Sequence, residues 1–237
     1  MTRPLRLTRE LVDLIPSSIE DPGQSPEHAQ RFTPEARAAL FEDVVRTCPD
    51  LNNLWFFAFG SLIWKPACPF VERRSATIEG WHRAFCLGPD KRYRGNPVNP
   101  GIMLSLDYGG KCEGVVYRMD PARTAEDLKD LMEREPPIPP IWVTAQTDAG
   151  PICALVFVRS PDDRGYIGGM TPNEIARQIA PAVGTFGSMA DYVLNTASHL
   201  EELGIHDPNV WQMQDLVAAE LERLRDTSGL SLKAPQT

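Results

Sequence analysis

The sequence predicts an α+β protein built on a small mixed β-barrel, with one inserted helix and further helices at its C-terminal end. Three observations carry this. From Leu54 to about Val158, short apolar runs alternate with turn signals. A single convincing helix, Thr124 to Glu135, interrupts them. After Ser160 the periodicity becomes helical. Many short strands around one helix suit a barrel or a strongly curved sheet, whereas a doubly wound parallel sheet needs regular alternation of strand and helix.

Residues 1–50 read as a helical N-terminal extension. Thr33-Pro34-Glu35 is a helix start, with a capping hydroxyl and proline at the first helical position. Ala39, Leu40, Val44 and Cys48 can form one face, and Pro49 ends the helix. The polar, proline-bearing stretch from Pro16 to Gln30 reads as irregular. Expected strands are Trp55–Phe59, Ala76–Leu87, Ile102–Leu106, Gly114–Met119, Ile141–Gln146 and Ile152–Val158, with hairpin-like turns at Gly109-Gly110 and Asp148-Ala149-Gly150. Thr124 and Asp127 form a capping-box-like pair on the inserted helix. Thr171-Pro172-Asn173-Glu174 is a complete helix-start signature, and helices follow near Ser188–Leu203 and Pro208–Leu224. The main domain is expected at 51–226 and a frayed tail at 227–237.

The chain has 237 residues and a net charge of −8, from 32 acidic and 24 basic side chains. That balance disfavours nucleic acid and anionic membranes as partners, because both need a positive field. Arg73-Arg74 and Lys91-Arg92-Tyr93-Arg94 are short basic spots better matched to a small anionic ligand. Five scattered cysteines without a C-x-x-C pair argue against a disulfide framework or a zinc site, and four histidines show no ligand spacing. No apolar run approaches the ~20 residues of a membrane span, and the start lacks a signal-peptide core. The expectation is a cytoplasmic protein that uses no metal.

Two segments invite chemistry. The apolar run Trp55 to Trp64 is broken abruptly by Gly60-Ser61. A glycine there lets the backbone turn sharply, so amides around Phe59 to Leu62 could face an anion or oxyanion; an ordinary turn after a buried strand is the plainer alternative. In the inserted helix, Leu128, Leu131, Met132 and Glu135 share one face, while Glu133 does not. Pro136 biases Glu135 out of the α region, to the helix end. A carboxylate at the carbonyl end of a helix, partly buried, has a raised pKa and suits general acid–base work. The alternative is a last-turn glutamate that meets solvent or an arginine, and spacing does not separate the two. No G-x-S-x-G elbow, Walker loop or G-x-G-x-x-G is present. Cys86 and His82 share a strand face, but burial explains them better than a nucleophile pair.

Four segments in order resemble a known family. Phe57-Ala58-Phe59-Gly60-Ser61-Leu62 resembles the Tyr-Gly-Ser-Leu loop of the γ-glutamylcyclotransferase superfamily. The stretch Arg94 to Gly101 resembles the R-G-x-P-x-x-P-G segment of its ChaC branch, the glutathione-specific cyclotransferases. Glu133-Arg134-Glu135, followed by Trp142, resembles the branch's R-E motif, and the stretch Phe186 to Val193 matches the place of a family tyrosine, here Tyr192. The resemblance spans roughly Leu54 to Leu224.

It implies a cofactor-free lyase acting on glutathione or another small γ-glutamyl peptide, releasing 5-oxoproline and, from glutathione, Cys-Gly. Glu135 takes the catalytic position, the loop Phe57, Ala58, Phe59, Gly60, Ser61 and Leu62 holds the glutamyl end, and Tyr192 supplies a hydroxyl contact. Arg94 either shapes the site or meets a substrate carboxylate; a turn or surface arginine is the alternative. Phe59 departs from the family's tyrosine, Pro136-Pro137-Ile138-Pro139-Pro140 is a more rigid connection than the branch carries, and residues 1–50 exceed the usual core. Two rival expectations follow: the same fold acting on other γ-glutamyl amines or amino acids, and a non-catalytic binding module.

Overall fold

A computed structural model describes residues 3–21, 23, 33–135, 138–159, 161 and 165–228. Its first elements are α1 (Arg9–Val12), α2 (Pro34–Thr47), β1 (Trp55–Ala58), β2 (Glu72–Asp90), β3 (Gly101–Arg118) and α3 (Thr124–Arg134). Then come β4 (Ile141–Thr147), β5 (Gly150–Val156), α4 (Pro172–Ile179), β6 (Val183–Gly184), β7 (Gly187–Ser188), α5 (Met189–Glu202) and α6 (Pro208–Ser228). The chain divides into a unit of Gln24–His82 and Leu106–Arg159, and a unit of Met1–Gly23, Arg83–Ser105 and Ser160–Thr237.

The first unit is built on the expected barrel, closed in the order β1-β3-β2-β4-β5. β1 is its keystone: Trp55 lies opposite Arg118 of antiparallel β3 and opposite Ala154 of parallel β5. All four residues of β1 are buried. Trp55 and Phe57 join the barrel core with Ile78, Leu106, Val116 and Val156. Phe56 alternates to the other face and meets the ring of Tyr117 at 5.3 Å. Burial on both faces is why the run reads as continuous rather than alternating. β4 and β5 form the expected hairpin, with Thr147 opposite Gly150 and a positive φ at Gly150.

Three local expectations are corrected. β3 runs unbroken through Gly109-Gly110, where positive φ values of 98° and 67° are absorbed inside the strand. The carbonyl of Gly109 instead meets His82 Nδ1 at 3.1 Å. The Thr124–Asp127 pair is not a cap: Thr124 Oγ1 donates to the Asp120 carbonyl at 3.1 Å, and Asp127 lies buried with Arg123 Nε 3.4 Å away. On α2, Thr33 caps as expected, but Ala39 faces solvent and Val44 is the buried position.

The second unit is helical. α4 carries the complete capping box of Thr171 and Glu174, and Ser188 caps α5 by accepting from the Asp191 amide. Asp207 opens α6, its Oδ1 accepting from the Asn209 and Val210 amides while Oδ2 meets the fully buried Arg83 at 3.0 Å. The N-terminal segment belongs to this unit. Leu7 is buried and its amide donates to Gln214 of α6, while Arg3 and Arg6 pair with Glu201 and Glu222. α6 continues to Ser228, through the first two residues of the expected frayed tail; the rest of the tail lies outside the described residues.

Candidate active site

The site grows from the end of β1. After Ala58 the chain passes Phe59 and reaches Gly60, which turns it (φ −129°, ψ −131°) into a short 3₁₀ turn, Ser61–Ile63. The turn closes with the Ile63 amide on the Gly60 carbonyl (2.9 Å) and the Lys65 amide on the Ser61 carbonyl (3.0 Å). The amides of Gly60, Ser61 and Leu62 precede the first internal bond, as at any helical start, so the turn's own hydrogen bonding does not use them. Buried Tyr117 donates its hydroxyl to the Ile63 carbonyl at 2.9 Å and fixes the far side. Gly114 opposite β1 is obligatory: a Cβ there would stand 2.5 Å from the Ala58 carbonyl oxygen and 2.7 Å from the Phe57 ring.

The carboxylate comes from α3. Leu128 and Leu131 are fully buried, Glu133 is exposed, and Glu135 closes the helix as its C-cap, as the spacing predicts. Its amide still bonds to the Leu131 carbonyl (3.1 Å), but its backbone is extended (φ −76°, ψ 155°), the conformation that a following proline favours. Arg37 of α2 satisfies another end carbonyl, that of Met132, at 3.2 Å. Glu135 is half-buried, and burial pushes its carboxyl up to about 7, against the smaller opposing pull of the Arg134 charge. A group with that pKa exists in both protonation states at neutral pH and can both take and give a proton.

Arg134 joins the two parts. Its guanidinium donates to the Lys65 carbonyl and reaches Ser61 Oγ at 3.5 Å. The residue preceding Glu135 thus grips the turn that follows β1. Sequence reading placed Arg134 only as a motif letter and missed Gly114 and Tyr117; their roles depend on cross-strand neighbours that no local pattern reveals.

Arg94 and Tyr192 come together in the helical unit. The Arg94 guanidinium lies over the Tyr192 ring (5.6 Å), donates to the Ser188 carbonyl (3.3 Å) and sits 3.7 Å from Asp191. Arg94 therefore braces the start of α5, while the Tyr192 side chain is buried. A cavity of about 330 Å³ lies at the Trp55 end of β1, lined by Trp55, Arg74, Arg118, Trp142, Cys48 and Cys153 among others, and includes neither Glu135 nor the turn. Among the described residues no group of three or more His, Cys, Asp or Glu side chains could hold a metal ion, and no helix is long and apolar enough to cross a membrane.

The fold and site define a small closed five-stranded barrel in which a half-buried carboxylate closes the helix whose Arg134 grips a glycine–serine turn. The family profile described as ChaC-like protein matches residues 54–220, and the chain belongs to that family. Over 185 residues it is 35% identical to the glutathione-specific gamma-glutamylcyclotransferase of Escherichia coli (strain K12), covering 76% of this chain and 80% of that protein. Glutathione-specific gamma-glutamylcyclotransferase 1 of Homo sapiens is 30% identical over 188 residues, covering 76% and 82%. The crystal structure of a yeast gamma-glutamyl cyclotransferase specific to glutathione aligns with a TM-score of 0.63 at 22% identity, covering 71% of this chain and 96% of that one, a likeness of fold.

Proposed function

We propose that this chain is a glutathione-specific γ-glutamylcyclotransferase, with Glu135 as the general acid–base and the turn Phe57–Leu62 as the cradle for the γ-glutamyl group. The observation that carries the assignment to residues is the half-buried Glu135, with a pKa of about 7, fastened through Arg134 to the Gly60-Ser61 turn. The named relatives supply the substrate class.

The chemistry needs little beyond these parts. The α-amine of the glutamyl residue attacks its own γ-carbonyl carbon, a five-membered lactam closes, and the bond from that carbon to the cysteine nitrogen breaks. The nucleophile is tethered to the electrophile, so the protein's task is to hold the chain folded. In sum two protons pass from the attacking ammonium to the departing amine. One carboxylate that is returned to its starting state can relay them. The amides of Gly60, Ser61 and Leu62, which the turn's own bonding does not use, suit the charge that develops on the γ-carbonyl oxygen. In this reading Arg94 braces the start of α5 through the Ser188 carbonyl and the Tyr192 ring. None of the five cysteines is joined in a disulfide, which suits a reducing compartment, and we place the protein in the cytoplasm.

Purified protein given reduced glutathione should release 5-oxoproline and Cys-Gly, and γ-glutamyl-alanine should be turned over far more slowly. Equal rates would favour a broader γ-glutamyl specificity, to which Phe59 in place of a tyrosine could contribute. No 5-oxoproline from either compound would overturn the assignment.

A further inference from the structure

We propose that Arg134 is a positioning residue for the reaction, holding the Gly60–Leu62 turn in place beside the helix end that carries Glu135. The inference rests on the functional reading above for its catalytic consequence. The geometry itself stands apart from that reading.

Three observations carry it. The Arg134 guanidinium ends on the turn, donating to the Lys65 carbonyl and reaching Ser61 Oγ. A planar fork with several N–H donors can hold two acceptors at once, which a single ammonium point charge does poorly. The same guanidinium is the charge that acts on Glu135, favouring its ionised form against burial. Finally, Arg134 is kept in place by its surroundings. The carbonyl of Met132, two residues earlier, is held by Arg37 of α2, and α3 is pinned by fully buried Leu128 and Leu131. Lys65 follows the turn, and the charges of Asp127, Asp130 and Arg134 all act on Cys68 beyond it. Burial raises the Cys68 thiol to about 12, so it stays neutral beside the guanidinium. Arg134 thus couples the part that binds the γ-glutamyl end to the part that moves its protons.

Two substitutions separate its two roles. Arg134→Gln removes the fork and the charge; Arg134→Lys keeps the charge and loses the fork. For glutathione, both should raise KM about tenfold or more, because the turn loses its second anchor. Only Arg134→Gln should also move the acidic limb of the kcat/KM profile to higher pH. In parallel, the ¹³C shift of the Glu135 carboxyl carbon should titrate at higher pH in Arg134→Gln than in the unaltered protein, a readout that needs no turnover. Loss of active protein with KM, limb and carboxyl titration all unmoved would mean a merely structural arginine and would overturn the proposal. If Arg134→Gln does not fold, Arg134→Lys decides alone: an unchanged KM refutes the anchoring role. Should Glu135→Gln keep full turnover, the functional reading fails, while the carboxyl titration still tests the coupling of Arg134 to Glu135.

Discussion

Replacing Glu135 by glutamine should abolish turnover and, above neutral pH, make the protein more stable. Burial holds the carboxyl at about 7 against an ordinary 4.5, and Arg134 only partly offsets this. At about 1.36 kcal/mol per pKa unit, the charged form carries a penalty of roughly 3 kcal/mol in the folded state. Because the folded protein holds the proton more tightly than the unfolded chain, the sign is the reverse of a salt-bridged carboxylate. Stability is complete below pH 4.5, falls as pH rises from there to about 7, and is level above that. Glutamine has the same shape and no such dependence. Water reaching the half-buried group reduces the effect, leaving about 2 kcal/mol gained by Glu135→Gln between pH 5 and pH 8.5. Urea denaturation of both proteins at the two pH values measures it, and a 5-oxoproline assay should show a loss of about 100-fold or more. A stability difference that is the same at pH 5 and pH 8.5 would refute the burial argument. Retained turnover would refute the catalytic one.

Other expectations follow from single contacts. In the unaltered protein, kcat/KM should rise through an acidic limb near pH 7 as Glu135 ionises, and a limb near pH 4.5 would place the carboxylate in solvent. Gly114→Ala should cost about 1–3 kcal/mol in thermal denaturation, since its methyl would overlap the Ala58 carbonyl and the Phe57 ring, and turnover should fall as the turn shifts. Asp207→Ala should cost about 3–5 kcal/mol in urea, because it removes both the α6 cap and the carboxylate facing buried Arg83. Glu133→Gln should leave activity unchanged and stability within about 0.5 kcal/mol, as Glu133 is exposed with only a 3.9 Å contact to Lys129.

Much of the candidate site was legible along the chain because its signals are local. The 3.6-residue period of α3 already puts Glu135 on the face of Leu128 and Leu131 and Glu133 off it, and Pro136 marks the helix end; the period does not decide whether Glu135 meets the core or solvent. The Gly60-Ser61 break after an apolar run marks the turn for the same reason. Gly109-Gly110 misled because positive φ serves a bend within a strand as well as a hairpin, and only strand pairing chooses between them. Thr124 and Asp127 have capping spacing, but helix entry depends on the neighbouring Asp120 carbonyl and on what buries Asp127.

By itself, then, the sequence determined the element types, the barrel class, the face of α3 on which Glu135 falls and the break after β1. These follow from periodicity, proline and glycine, which act over one or two turns of chain. Tertiary structure decided the rest: that Arg134 grips the turn, that Tyr117 and Gly114 shape it, and that burial lifts Glu135 to about 7. Those are properties of groups distant in sequence, brought together only by the closing of the barrel and the docking of α3. Desolvation and hydrogen-bond geometry exist only once the neighbours are in place.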